Sequence, residues 1–328
     1  MKKLGFIGLY FLGVLVLTTT LGAAQGNNAN DIGQITRSLE RQTAVLDKVL
    51  VRYRIEVTQE MPADEIEAKV AEDRQRLGSQ ASALPGHVGP LPVLIDCIWA
   101  KTNGVEYLET IQHHVEGQVL LEKRLVSTEK TIRWQAPDNV WDPRLKGDFA
   151  KVLVTTNRGA GWVQGYRFAR FYAEDEQGKP LAESFKSADW IPAGLDTADG
   201  KRIHRLKRTS TSSSDSYTVI GFDENRGFAP ISRTIVEGGK TNFDWTVEDS
   251  REVAPGVWLP LRITKQRFWR ATEQPLDVAR ITVIDIKVNE KVPANALELQ
   301  WDRGSLILDE IKGVKYREGL TAPEPIGN

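Results

Sequence analysis

What most constrains this chain is a long succession of segments in which apolar and polar residues alternate, separated by short turns rich in glycine and asparagine. Val51, Tyr53, Ile55 and Val57 alternate with Arg52, Arg54, Glu56 and Thr58, the period-two pattern of a strand with one face in water. Further along, Asn103-Gly104, Gln177-Gly178, Asp199-Gly200, Asn225-Arg226-Gly227 and Gly238-Gly239 have hairpin chemistry, so consecutive strands are expected to pair antiparallel. The pattern predicts strands over 93–101, 105–114, 118–126, 130–136, 150–156, 164–174, 203–209, 216–222, 229–236, 242–248, 257–269 and 278–289, and a late pair near 304–309 and 314–317. The stretches 137–149 and 175–202 read as loops at the sheet rim, the second with a short helix around Leu181 to Ala188. A sheet of this size cannot stay flat, because strand twist and unpaired edges drive it to curl, close or be covered.

Two segments have helical period instead. Asp31 is placed to cap a helix whose apolar positions Ile32, Ile35, Leu39, Leu46 and Leu50 share one face. Pro62 opens a second, charged helix over about 62–83, with Ile66, Val70 and Leu77 on one stripe, and it looks like an excursion from the sheet. The expected fold class is therefore mainly β with helical cover (α+β). It is a large curved antiparallel sheet, or incomplete β-barrel, closed by the N-terminal helix and the inserted helix. A length of 328 residues allows one large domain or two small ones, and no linker composition or repeat interrupts it. One domain over 25–328 is the simpler expectation.

Lys2 and Lys3 precede an apolar stretch, Leu4 to Leu17, and then the small residues Gly22-Ala23-Ala24, which reads as a secretory signal peptide over 1–24. The apolar run is shorter than the ~20 residues of a spanning helix. The expected product is soluble, bacterial, periplasmic or secreted, and without a stable membrane anchor once the signal is cleaved. Lys+Arg 43 against Asp+Glu 44, with no basic run, excludes the electrostatic footprint of a nucleic-acid binder. Cys97, the only cysteine, excludes an intramolecular disulfide and reads as a buried, inert thiol. No cysteine follows the signal, so a lipoprotein anchor there is excluded as well.

No catalytic motif stands out. The four histidines His87, His113, His114 and His204 match no zinc spacing, and the adjacent His113 and His114 point to opposite faces of a strand. Gly159-Ala160-Gly161 lacks the Lys-Ser/Thr of a phosphate loop, and Ser212-Ser213-Ser214 reads as a polar turn. Glu106, Glu109, Asp244 and Asp285 are carboxylates that a hydrolase could use, but they are unselective candidates and read as solvated strand-face charge. The expectation is no enzyme, no catalytic residue, no metal and no cofactor.

The nine tryptophans, at 99, 134, 141, 162, 190, 245, 258, 269 and 301, either fill a core or line something. The sharper reading is an apolar groove between the curved sheet and the helices, lined by Tyr53, Ile55, Trp99, Leu108, Trp134, Trp245 and Phe268. The N-terminal helix would be its lid through Ile35, Leu39 and Leu46.

The order of elements adds a resemblance, strongest in the C-terminal half. There Arg226-Gly227-Phe228-Ala229-Pro230 leads to Gly256-Val257-Trp258-Leu259-Pro260 and Ile284-Asp285-Ile286-Lys287-Val288-Asn289, and then to Gly304-Ser305-Leu306-Ile307-Leu308-Asp309 and Gly313-Val314-Lys315-Tyr316. This succession resembles the bacterial outer-membrane lipoprotein-sorting (LolA/LolB-like) superfamily, in particular exported members of the planctomycete type. The resemblance implies an incomplete antiparallel barrel with helices closing its apolar face, and a carrier of lipid or lipoprotein acyl chains that does no chemistry. Related folds also serve as envelope sensors, so an interaction domain recognising a peptide, a mislocalised lipoprotein or an envelope protein partner is the alternative, and an exported hydrolase is the third.

Overall fold

The structure, a computed structural model, describes residues 17–77, 92–114, 117, 119–136, 150–156, 166–175, 178–186, 189–198, 200–210, 213–269, 274–290 and 299–326. The first part of the expected signal segment, the end of the inserted helix, the 137–149 loop, Gly159-Ala160-Gly161, His87, Trp141 and Trp162 lie outside these residues.

Helix α1 (Leu17–Leu46) runs into β1 (Lys48–Gln59), and α2 (Ala63–Leu77) follows as the excursion. The chain then steps outward through antiparallel neighbours β2 (Pro92–Thr102), β3 (Val105–His114), β4 (Val119–Val126), β5 (Thr131–Gln135) and β6 (Lys151–Thr155). Two short helices, α3 (Phe168–Tyr172) and α4 (Leu181–Ser184), lead to the far edge at β7 (Trp190–Ala198). From there β8 (Lys201–Thr209), β9 (Tyr217–Asp223), β10 (Ala229–Glu237), β11 (Lys240–Ala254), β12 (Val257–Trp269) and β13 (Gln274–Val288) meander back until β13 pairs with β1. Finally β14 (Leu306–Asp309) lies on β6, with β15 (Val314–Arg317) and β16 (Glu324–Pro325) beyond it. Among the described residues, sixteen strands form one curved, open sheet in the order β16-β15-β14-β6-β5-β4-β3-β2-β1-β13-β12-β11-β10-β9-β8-β7. Among the described residues no helix is long and apolar enough to cross a membrane.

From Val51 onward the central strand obeys its alternation: Val51, Tyr53 and Ile55 are buried while Arg52, Arg54 and Glu56 are exposed. Leu50, expected on the N-terminal helix, lies in β1 and packs with Ala100 and Tyr107 on the other face, because the helix ends at Leu46. Four further expectations need correction. The sheet is mixed, because β14 reaches β6 by a crossover rather than a hairpin and pairs with it in parallel. The strand predicted over 164–174 is replaced by α3, since Phe168, Phe171 and Tyr172 stand at i, i+3 and i+4 and bury together as a helical face. The 175–202 loop contains β7, an edge strand whose exposed residues hide the alternation and whose Pro192 and Gly194 flank an irregularity in pairing. Asp31 lies inside α1 rather than at its N-cap.

Helix α1 crosses the sheet on one apolar stripe. Ile35 and Leu39 pack with Leu181, Phe185, Trp190, Leu206, Ile220 and Phe222, whereas Leu46 joins the central cluster. Polar contacts strap the same helix down. Ser38 donates to the Gly227 carbonyl, and Asp31 lies 3.3 Å from His204, whose other ring nitrogen is 2.7 Å from Glu224. Helix α2 packs at the rim, through Ile66 against Met61, Trp269 and Leu276.

Gly227 has φ +60°, and a Cβ there would lie 2.6 Å from the Gly256 carbonyl oxygen, which is backbone and cannot step aside. Gly227→Ala is therefore expected to lower stability by about 1–3 kcal/mol, read as a fall in the denaturant midpoint. An unchanged midpoint would place the turn elsewhere.

Candidate functional site

The alternating faces of β1, β2 and β3 carry their large residues to one side. Val51 stands opposite Trp99, Trp99 opposite Leu108, and Tyr53 opposite Cys97. From the other flank Ile281, Ile263 and Val247 continue the same row, and Trp245 stands opposite Lys265. Five of the residues expected to line a groove, Tyr53, Ile55, Trp99, Leu108 and Trp245, thus meet in one buried cluster.

The other two do not join it. Trp134 packs with Ile132, Val152, Val154 and Ile307 on the opposite face. Its register partner is Lys123, which faces Glu109 and then Ile98, one residue out of step with Trp99. A shift of one residue reverses the face. Phe268 stands opposite Pro275 just past an irregularity in pairing, partly exposed and in no core cluster.

Sequence reasoning missed what covers the aromatic face. Helix α3 lies on it: Phe168 is fully buried, with ring centroids 5.6 Å from Tyr53, 6.2 Å from Trp99 and 5.5 Å from Tyr172, while Phe171 meets Tyr53 edge-on at 6.0 Å. Polar contacts pin the entry to this helix. Tyr53 donates to the Tyr166 carbonyl, and Arg167 bridges Glu106 and Glu174, the latter at 2.7 Å. Trp99 Nε1 donates to Glu106 at 2.7 Å. Burial pushes the hydroxyls of Tyr53 and Tyr172 and the Cys97 thiol well above their ordinary ranges, so all three stay protonated and Cys97 is no nucleophile. Burial also raises the Glu174 carboxyl, against the opposing pull of Arg167.

Beside α3 the face opens into a cavity of about 210 Å³, lined by Arg170, Phe171, Arg233, Ile235, Asn242, Phe243, Trp245, Ile263 and Lys265. On its β3–β6 flank the same face turns polar, with Thr110, Gln112, Glu122, Arg124, Thr131, Arg133, Lys151 and Thr155 all buried.

Of the carboxylates singled out from sequence, Glu106, Glu109 and Asp244 are structural partners. Glu109 accepts from Tyr107 at 2.5 Å and lies 3.6 Å from Lys123, Asp244 accepts from Thr234 at 2.8 Å, and Asp285 stands opposite Arg52. Among the described residues no three His, Cys, Asp or Glu side chains gather as metal ligands.

No protein-family profile matches the chain, and no curated protein matches its sequence. Similar solved structures include a domain assigned to outer membrane lipoprotein sorting from Vibrio parahaemolyticus, at 10% identity and TM-score 0.44, covering 80% of this chain and 95% of that one. A LolA superfamily protein from Nitrosomonas europaea matches at 14% identity and TM-score 0.41, over 83% and 98% of the two chains. A DUF1329 family protein from Desulfovibrio piger matches at 10% identity and TM-score 0.41, over 81% and 97%. At these identities and TM-scores no residue's role is carried across.

Proposed function

We propose that this is an exported, periplasmic, non-enzymatic binding protein that takes an acyl chain, free or at the end of a lipoprotein, against the aromatic face formed by Tyr53, Trp99, Leu108 and Trp245. The observation that carries this reading is the nature of the cover. A large apolar face on the sheet is closed by the five-residue helix α3, with an open cavity directly beside it. Helix α1 supports the arrangement from the second cluster, so α3 rather than α1 is the piece that gives way.

The exchange is energetically reasonable. Re-exposing Phe168, Phe171 and Tyr172 costs about 5–9 kcal/mol, while burying fourteen methylene-sized groups returns on the order of 10 kcal/mol before the costs of ordering.

The test is solvent extraction and mass spectrometry of protein purified from its own envelope without detergent, against a denatured blank. It is paired with quenching of tryptophan fluorescence by brominated stearate. Stoichiometric acyl lipid, and quenching that falls in Trp245→Phe, are the expected results. An empty protein whose tryptophans are not quenched would overturn the proposal.

A further inference from the structure

Three cations from different parts of the chain converge on the cavity beside α3. Arg170 comes from the helix, Arg233 from β10 and Lys265 from β12. Sheet register brings two of them together: Arg233 stands opposite Trp245, and Trp245 opposite Lys265. Each is held by contacts of its own. Arg170 donates to the Asp175 carbonyl, Arg233 to the Glu174 carbonyl at 2.6 Å, and Lys265 Nζ lies 5.0 Å from the Phe243 ring centroid. Among the described residues the lining contains no carboxylate. The remaining wall is Phe171, Ile235, Phe243, Trp245 and Ile263, continuous with the apolar face through Phe171, Trp245 and Ile263.

From this geometry we infer that the cavity is an anion subsite, which receives the carboxylate or phosphate end of the amphipathic ligand whose chain lies on the aromatic face. The inference rests on the proposed function and narrows its ligand class to anionic amphiphiles. A volume of about 210 Å³ suits a head group, since sites for whole drug-sized ligands run to about 300–1,000 Å³. Like charges gathered in a partly enclosed space strain the empty protein, and an entering anion relieves that strain.

Lys265 records the strain. Burial pushes its ammonium down to about 8, Arg267, Arg170 and Arg233 push the same way, and Asp277 opposes them. A lysine with a lower value folded than unfolded weakens the fold while it is charged. Stability should therefore rise between about pH 8 and the ordinary lysine range near 10.4. Lys265→Met removes the burdened charge, so it should melt higher than the parent below about pH 8, with the gap narrowing above it. A residue kept only for packing would not combine that gain with lost binding.

The experiment is calorimetric titration of the full mature chain with dodecyl phosphate, dodecanoate, dodecyl maltoside and inorganic phosphate. We expect the two anionic amphiphiles to bind more tightly than the maltoside, and to weaken about tenfold or more in Lys265→Met and in the independent variant Arg170→Met. Lys265→Arg should retain most of the affinity, maltoside binding should be unmoved, and dodecyl phosphate should weaken as pH rises through about 8. Equal affinity for all three amphiphiles, unaffected by either Met variant, would overturn the subsite and leave the apolar groove standing. Equal, Lys265-dependent affinity for inorganic and dodecyl phosphate would keep the anion site and overturn its link to the groove. No heat from any probe would overturn both.

Discussion

Phe168→Ala should lower the melting temperature by on the order of 10 °C and, in the same variant, tighten the uptake of an acyl chain. The first effect follows from position. Phe168 is fully buried among Tyr53, Trp99 and Tyr172, and truncating a buried phenylalanine costs about 3–5 kcal/mol, at roughly 2–4 °C per kcal/mol for a chain of this order of size. The second follows from the proposed role of α3 as the removable cover. The space left by the ring sits between Tyr53 and Trp99, where a chain would otherwise have to displace it. Addition of dodecanoate should therefore raise the melting temperature of Phe168→Ala more than that of the parent. Phe168→Leu, which keeps most of the volume, should show a smaller loss and a smaller ligand-induced gain. Thermal unfolding with and without dodecanoate measures both quantities. If the Ala variant loses stability and gains nothing from the ligand, α3 is a fixed part of the core and not a cover.

Glu122→Leu should destabilise the protein by about 3–5 kcal/mol, although it replaces a charge with an apolar group in a buried place. Glu122 on β4 and Arg133 on β5 are both almost wholly buried and meet through two hydrogen bonds, one from Nε and one from Nη2 at 3.2 Å. Removing the carboxylate takes two acceptors from a guanidinium that cannot shed its proton. The effect spreads to Arg124 on the neighbouring row. Burial already holds that guanidinium below its ordinary value, Glu106 and Glu122 support its charge, and Arg133 and Arg167 oppose it. Loss of Glu122 thus leaves more uncompensated positive charge on this flank. The double variant Glu122→Leu, Arg133→Met should recover much of the loss, because replacing a whole buried pair by apolar groups is close to neutral. A double-mutant cycle in urea measures the coupling. Additive losses would show that the pair does not act as a unit.

The two predictions draw on features of different visibility. The wet-and-dry alternation of β1 could be read directly from Val51, Tyr53, Ile55 and their charged neighbours, and the structure keeps it. Hairpin punctuation likewise located most of the meander, since turn chemistry is local. Helix α3 escaped because a run dense in Phe and Tyr has high β-propensity, and a single helical turn offers only the 168, 171, 172 spacing against it. Edge strand β7 escaped for another reason: exposed on both faces, it has no alternation to show.

The groove residues divide along the same line. Tyr53 and Trp99 belong to strands adjacent in sequence, so their meeting could be anticipated. Trp134 alternates within its own strand as they do, but pairing register puts it on the far side. The convergence of Arg170, Arg233 and Lys265 had no sequence signal, because it needs the chain to cross from β6 to β7 and return to β1.

By itself, then, the sequence determined what short-range sterics and local periodicity decide: strands, tight turns, the apolar stripe of α1 and a β architecture with helical cover. Only the tertiary structure decided which face each aromatic occupies, that β14 joins β6 in parallel, and that the aromatic face is closed by α3 beside a basic cavity. Those outcomes depend on register and on contacts between distant segments. Burial on a sheet face is a property of whatever packs against it, which no local pattern contains.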